Sequence, residues 1–376
     1  MKNCFTLITL LLFLIVGKIQ AQPVPKIGTD FHLEIANWNI EWFGSTSYGP
    51  SDEVLQKKNV LSVLKNTDLD IWGLCEVSSA SAWDSLKANM PEYGGIISTW
   101  SQTQKTAILY KKSTCKLLKS GNILTTYSKE FANGRTPLQA TIVYANNSFA
   151  DTIVLIQIHL KANVGVDTAK LNSLNNRKSS AALLKGYLDT FAINKKVIVL
   201  GDWNDDLDVS VYNNLKTPFD TLLKDVSRYF FATEALTNSG QQSTASYPNM
   251  IDHQCMNLVM KKGFMKDSCR LMKANTWITS YATNTSDHFP VYSVFDFHNL
   301  YVQQLRKEPN LFYDNGETIV CKTPISGAMF TVFNAAGTLI WEGKNLNQWV
   351  VSQPGLFVIH MRTSTETFAQ KIEIIR

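Results

Sequence analysis

Several apolar runs in this chain stop abruptly on residues that bind cations, carry protons or grip phosphate. Leu33–Ile40 carries Asn39 near its end, Ile71–Cys75 runs into Glu76, and Ile153–Ile158 leads to His159 and then Lys161. Val197–Leu200 gives way to Gly201-Asp202-Trp203-Asn204, and Asp287-His288 feeds the apolar stretch from Phe289. Asp252 stands near the head of Met250–Met256, and Arg135 opens Leu138–Tyr144. Taken singly, each has an ordinary explanation. Asn39, Glu76, Asp202 and Asn204 suit turns and caps. A lone His159 on an apolar strand suits a core histidine, and Arg135 suits a surface ion pair. Repetition of one pattern argues for a site.

Gathered at one end of the strands, Glu76, Asp202, Asp252 and Asp287 would repel one another. Two bare charges about 4 Å apart cost roughly 4 kcal/mol at an effective dielectric of about 20. Such a cluster needs a cation. The donors are oxygens and the chain has no Cys-x-x-Cys spacing, so Mg²⁺ is expected, with Mn²⁺ or Ca²⁺ as alternatives. Mg²⁺ takes only one or two carboxylates plus substrate phosphate, which leaves other acids free to move protons. A histidine titrates near neutral pH, and an Arg grips phosphate bidentately. The set suits hydrolysis of an anionic phosphoester.

Those residues need strands to carry them. Val197–Leu200 is continuously apolar and mostly β-branched, as in a strand buried on both faces. Residues two apart on an extended chain point the same way, so Asp202 and Asn204 are expected to aim at one spot. Ser51-Asp52-Glu53 makes a helix start, with Val54, Leu55, Val60, Leu61 and Leu64 as its apolar stripe. A second helix is expected over Ser79–Asn89. A third is expected over Asp167–Phe191, with Leu171, Leu174, Leu183, Leu184 and Leu188 toward the core. Several strands follow one another directly. The fold class is therefore α/β, with two packed mixed sheets flanked by helices.

Met1–Ala21 has a lysine start, an apolar core and a small-residue end, as in a secretory signal peptide. Its apolar run falls short of the ~20 residues that span a bilayer. A cleaved leader and a mature protein outside the cytoplasm are expected, with no stable membrane insertion. The formal net charge of +5 is too small to mark a nucleic-acid footprint by itself. Cys255 and Cys269 are the candidate disulfide if the compartment is oxidising. From about Tyr301 the helical periodicity stops, and short apolar runs alternate with Gly, Pro and Asn turns. The expected division is a leader (1–21), a catalytic domain (22–299) and a small antiparallel β-sandwich (300–376), with Asn299–Asn310 as linker.

The ordered set W-N-I at Asn39, G-L-C-E-V at Glu76, I-H-L-K at His159, G-D-W-N at Asp202 and Asn204, I-D-H at Asp252 and S-D-H-F-P-V at Asp287-His288 resembles the endonuclease/exonuclease/phosphatase superfamily. The likeness covers about Ile35 to Phe295 and implies a four-layer α/β/β/α sandwich. It implies that Glu76 binds the metal, that Asp287 supports it, and that Asn39 holds a metal-site water or phosphate. It implies that Asp252 orients His288, which acts as general base or polarises the phosphate. By the same likeness Asp202 shuttles a proton, Asn204 fixes a phosphate oxygen or the nucleophile, and His159 contacts phosphate. Arg135 in G-R-T-P-L matches an Arg-x-Pro element of secreted nucleases, and Lys161 lies beside the implied phosphate site. One departure stands out: Gln102 and Gln104 occupy the region where the deoxyribonuclease branch carries a substrate-gripping Tyr.

The implied activity is metal-dependent phosphodiester hydrolysis, with extracellular DNA or RNA as substrate. A lipid or inositol-phosphate ester is the alternative, and a non-catalytic binding module is the reading from a different class. A monomer is expected. Phe333–Leu339, Pro354–Val358, Phe368 and Lys371 resemble the sorting domain of type IX secretion cargo, which implies a Gram-negative host and a secretion machinery as partner; an accessory β-sandwich is the plainer reading. A chain ending near Asn299 is therefore expected to keep its activity yet accumulate inside the outer membrane of the native host. Normal export of that chain would give 301–376 another role.

Overall fold

The computed structural model describes residues 22–146, 149–297, 311–315, 318–322, 327–344, 348–350, 353–362 and 367–374. The expected leader Met1–Ala21 and linker Asn299–Asn310 lie outside the described residues. The first sheet is built from β1 (Leu33–Phe43), β2 (Ile71–Val77), β3 (Tyr93–Ile97) and β4 (Lys105–Lys111). The second follows with β5 (Cys115–Asn122), β6 (Leu138–Asn146), β7 (Phe149–His159), β8 (Lys196–Asp202), β9 (Tyr229–Phe231) and β10 (Asp252–Asn257). The chain then returns to the first sheet with β11 (Arg270–Leu271) and β12 (Val291–Phe295). The sheet orders are β11-β12-β1-β2-β4-β3 and β5-β6-β7-β8-β10-β9. Both are mixed: β1 runs parallel to β2, and β7 parallel to β8. Their other pairings are antiparallel, in agreement with a pattern of strands in direct succession.

Alternation along the strands makes the layers. In β1, Leu33 and Ile35 face the second sheet, while Ala36, Trp38 and Ile40 pack against α1 (Glu53–Thr67) and α2 (Ala80–Ala88). In β8, Ile198 and Leu200 face the first sheet, while Val197 and Val199 pack against α3 (Asp167–Phe191). The result is a helix–sheet–sheet–helix sandwich, as the sequence implies. Asp52 caps α1 by accepting the Leu55 N–H at 2.9 Å. Two expected core positions are exposed instead: Val54, at 74 %, and Leu171, at 42 %, lie in the first turns of α1 and α3 and face away from the sheets. Cys255 and Cys269 are reduced thiols, which corrects the expected disulfide. Cys255 packs between the second sheet and α3, whereas Cys269 packs between the two sheets.

The inward face of these strands changes character along its length. On β1 it passes from Leu33 and Ile35 to Asn37 and Asn39. On β7 it passes from Ile153 and Leu155 to Gln157 and His159, and on β8 from Ile198 and Leu200 to Asp202. Antiparallel β10 runs the other way, from Asp252 through Gln254 to Met256. A polar seam thus separates the oily core from the strand ends. Asn37 donates to the Gly201 carbonyl at 3.3 Å, and Gln254 donates to Asn37 Oδ1 at 3.0 Å. Gly73 has no room for a side chain, because a Cβ there would lie 1.9 Å from Gln157 Oε1.

Two further antiparallel sheets follow. One contains β13 (Phe312–Asp314), β14 (Thr318–Cys321) and β17 (Gln348–Val350). The other contains β15 (Met329–Asn334), β16 (Leu339–Lys344), β18 (Gly355–Arg362) and β19 (Thr367–Ile374). Phe312 and Ile319 of the first share a core with Phe330, Val332, Ile359 and Met361 of the second.

Far from the seam, Glu34 and Asp70 form a buried acid pair. Asp70 Oδ2 accepts the Glu34 N–H at 3.1 Å, and Thr29 and Thr114 each satisfy one carboxylate oxygen. Burial first, then the Asp70 charge, pushes the Glu34 carboxyl from its ordinary 4.5 up to about 8. An acid that holds its proton more tightly when folded makes folding weaker as pH rises between the two values. Wild-type stability relative to Glu34→Gln should therefore fall between pH 5 and 8, read from denaturant midpoints on both proteins. A difference independent of pH would contradict the shared-proton pair.

Candidate active site

Two irregular strand ends set the carboxylates. The β1–β2 register slips between Asn39 and Phe43, and the β2–β4 register slips between Leu74 and Val77. Glu41, Trp42 and Glu76 there take left-handed backbone, with φ of 44°, 49° and 64°. Each such residue costs about 1–3 kcal/mol, so the surroundings must over-determine it. They do. Buried Gln56 of α1 donates to the Ile40 and Glu41 carbonyls at 2.9 and 2.7 Å. The Glu41 N–H donates to Asn39 Oδ1 at 3.0 Å, and the Trp42 N–H donates to Glu76 Oε2 at 3.0 Å. Glu76 Oε1 in turn accepts from Asn39 Nδ2 at 3.0 Å.

The β8 strand ends at Asp202, and Asn204 is not extended. Its φ is 56°. The tight turn brings Asn204 back so that its N–H and Nδ2 donate to the Asp202 carboxylate at 2.9 and 3.0 Å. Asp202 and Asn204 thus meet through a turn, rather than through the same-side spacing of a strand. Asp202 Oδ2 also accepts from Asn39 Nδ2 at 3.1 Å. Burial pushes the Asp202 carboxyl up to about 7, opposed by the charge of His288.

His288 donates from Nδ1 to Asp252 Oδ2 at 2.7 Å. Its Nε2 stands 3.9 Å from both Asp202 Oδ2 and Asp287 Oδ1. Burial alone would lower this imidazole; Asp252 first, then Asp287 and Asp202, overcome it and hold the ring well above its usual value. The surrounding carboxylates thus favour the charged form of His288. His159 is the opposite case. Burial first, then the charge of Arg135, drives it well below its usual value, so it is neutral. Its approaches to Asp202 (3.5 Å) and Glu76 (3.6 Å) are therefore not ion pairs. Arg135 Nη1 donates to the neutral ring, 2.5 Å from Nε2 and 2.8 Å from Nδ1.

A cavity of about 340 Å³ opens over this group. Glu76, Arg135, His159, Lys161, Asp202, Asn204, Asp287 and His288 all line it. Asn39 and Asp252 lie directly behind, bonded to Asp202 and His288. The structure thus brings together every site residue expected from sequence. Gln104 also lines the cavity, and Gln102 folds back onto the Gln104 backbone. Sequence reasoning missed Glu41, whose Oε2 accepts the Asp287 N–H at 2.9 Å. The Asn39-x-Glu41 spacing was the available signal. It also missed Arg177 of α3, fully buried against Asp205 at 2.8 Å and donating to the Lys161 carbonyl at 2.7 Å. Nothing local in a polar helix marks that clamp.

Two donor sets can be compared for a divalent cation. Asp202, Asp252 and His288 offer ligand atoms within 4.8 Å of one another. His288 Nδ1 is already committed to Asp252, and all three side chains are buried. A cation there would take His288 Nε2 or displace that bond, and in either case would give up the waters that Mg²⁺ keeps. Glu41, Glu76 and Asp287 are the other set: Glu76 and Asp287 line the cavity and Glu41 Oε2 accepts the Asp287 N–H, but their carboxylates are not drawn within 4.8 Å of one another. Burial, then the charges of Asp287 and Glu76, pushes Glu41 up to about 7. That repulsion is what a cation relieves, and oxygen-only donors suit a hard ion. Donor chemistry thus favours the second set for a hard ion, whereas proximity favours the first.

The sequence profile of the Endonuclease/Exonuclease/phosphatase family matches residues 36–288. No curated protein matches the chain. Among solved structures, humanized D. rerio TDP2 with 14 mutations has a TM-score of 0.54 at 17% identity, over 71% of this chain and 99% of that one. D. rerio TDP2 complexed with single strand DNA product has a TM-score of 0.52 at 17% identity, over 70% of this chain and 98% of that one. The endonuclease/exonuclease/phosphatase from Bacteroides vulgatus has a TM-score of 0.51 at 17% identity, over 70% and 98%. At such identity the likeness is one of fold.

If Glu41, Glu76 and Asp287 are the cation site, Glu41→Gln should weaken Mg²⁺ or Mn²⁺ binding by about tenfold, ~1.4 kcal/mol in calorimetry. Unchanged affinity would remove Glu41 from the site.

Proposed function

This chain belongs to the endonuclease/exonuclease/phosphatase family, and from that premise we propose that it is a divalent-cation-dependent phosphodiesterase acting on nucleic acid. The observation that carries the reading is the Asp252–His288 pair, 2.7 Å apart, opening onto the same cavity as Glu76 and Arg135. Members of this family are hydrolases of phosphodiester bonds. Arg135, Lys161 and the neutral His159 line a floor suited to an anionic ester, and a fold neighbour was solved with a single strand DNA product.

Glu76, Glu41 and Asp287, with Asn39 behind them, would hold the cation. Bound there, it would offset the charge of the phosphodiester. The remaining steps belong to the chain. Arg135 grips the phosphate from beneath, with His159 fixed beside it as a neutral donor or acceptor. Asp252 holds the Nδ1–H of His288, so Nε2–H faces the cavity and stabilises charge growing on a phosphoryl oxygen. Asp202, held by Asn39 and Asn204, takes the proton of the attacking water. A carboxyl titrating near 7 can accept and return a proton at neutral pH. This gives His288 the polarising role among the two that its resemblance implies.

Secretion, with a cleaved leader and a sorting sandwich over residues 300–376, is part of the same proposal. No helix among the described residues is long and apolar enough to cross a membrane. Glu76→Gln should abolish hydrolysis of DNA and RNA with the fold intact, and excess chelator should do the same to wild type. His288→Ala should lower turnover by ~10² or more, chiefly in kcat. Undiminished turnover in chelator would end the cation reading. Hydrolysis confined to a lipid or inositol phosphate would end the nucleic-acid reading.

A further inference from the structure

Two aromatic rings line the cavity, Tyr247 and Trp42, and Trp42 reaches it from the backbone stretch that carries Glu41. It lines the cavity beside Glu76, Arg135 and His288. Its N–H is bonded to Glu76 Oε2 at 3.0 Å, which ties its position to that carboxylate. Its left-handed backbone, φ 49°, is a costly conformation for a bulky residue, maintained at the edge of the site. The loop that follows turns back to support the ring. Tyr48 packs on it with centroids 4.6 Å apart and planes 30° from parallel. Gly49, with φ 76°, passes so close that a Cβ would lie 3.0 Å from Trp42 Cβ. Tyr48 is 61 % exposed, and Trp42 itself is only partly covered.

A partly exposed indole packed against a second ring can stack a planar group beside a phosphate site. It offers a flat, weakly polar face to a planar ring. Nucleobases are such rings; an inositol or an acyl chain is not. Building on the phosphodiesterase reading above, we infer that Trp42, braced by Tyr48, stacks an unpaired nucleobase of the nucleotide next to the scissile phosphate. A base in a duplex must leave its own stack to reach such a ring. The substrate class is therefore single-stranded nucleic acid, or a frayed end, rather than an intact duplex. Stacking tolerates every base, so little sequence preference follows.

The test compares wild type, Trp42→Ala and Trp42→Phe on one oligonucleotide, single-stranded and as a blunt duplex, with Mg²⁺. Wild type should favour the single strand in kcat/KM. Trp42→Ala should raise KM on the single strand about 5- to 150-fold, as ~1–3 kcal/mol per stacked base predicts, and leave the duplex rate nearly unchanged. Trp42→Phe should retain most of the preference. Damage passed on to Glu76 would lower both substrates alike, so an equal loss on both overturns the stacking role. So does an unchanged single-strand KM. If wild type cleaves neither form, the nucleic-acid reading itself fails, and this inference with it.

Discussion

Everything at the cleft depends on holding several carboxylates together against their own repulsion. Glu41, Glu76, Asp202, Asp252 and Asp287 converge on one cavity or its back wall. The fold resists that repulsion in two ways. The bulges in β1 and β2 lock Glu41 and Glu76 with main-chain and Gln56 hydrogen bonds. The amides of Asn39 and Asn204 divide the lone pairs of Asp202 between them. What these devices leave uncompensated appears as weakened acidity at Glu41 and Asp202 and as a His288 ring held well above its usual value. Such upward shifts within one cluster suit groups that bind a cation or exchange a proton.

The two-sheet architecture supplies the rest. Because side chains alternate along a strand, a single inward face carries core residues at one end and chemistry at the other. The seam of Asn37, Gln157 and Gln254 lies between those ends. It satisfies polar groups inside the sandwich and fixes how β1, β8 and β10 sit opposite one another. Burying that many amides is tolerable only because most are bonded. The buried Arg177–Asp205 pair does comparable work for the loops after β7 and β8, which bring Lys161 and Asn204 to the cavity.

Much of this was legible in the sequence, because the relevant signals are local. Apolar runs that stop on Asn39, Glu76, His159 and Asp202, and one headed by Asp252, are visible without a structure, and so is the period that makes α3 a helix. What escaped was set by backbone geometry or long-range contact. Glu41 looked like a strand end because the bulge that turns it into the site has no composition of its own. Asn204 was assigned the right place for the wrong reason, since its turn does what a strand was expected to do. Val54 and Leu171 sit at helix starts, where an apolar residue gains little by facing inward. Cys255 and Cys269 are separated by an entire sheet, which sequence distance does not reveal.

We propose one division of labour at the centre of the site: Glu41, Glu76 and Asp287 would hold the cation, and the Asp252–His288 pair would stay free of it. Anomalous scattering from crystals soaked in Mn²⁺ tests that division directly. The predicted result is a peak among Glu41, Glu76 and Asp287, with the His288–Asp252 hydrogen bond intact. A peak ligated by Asp202, Asp252 and His288 instead would contradict it, because the pair that polarises the phosphate would then be a metal site.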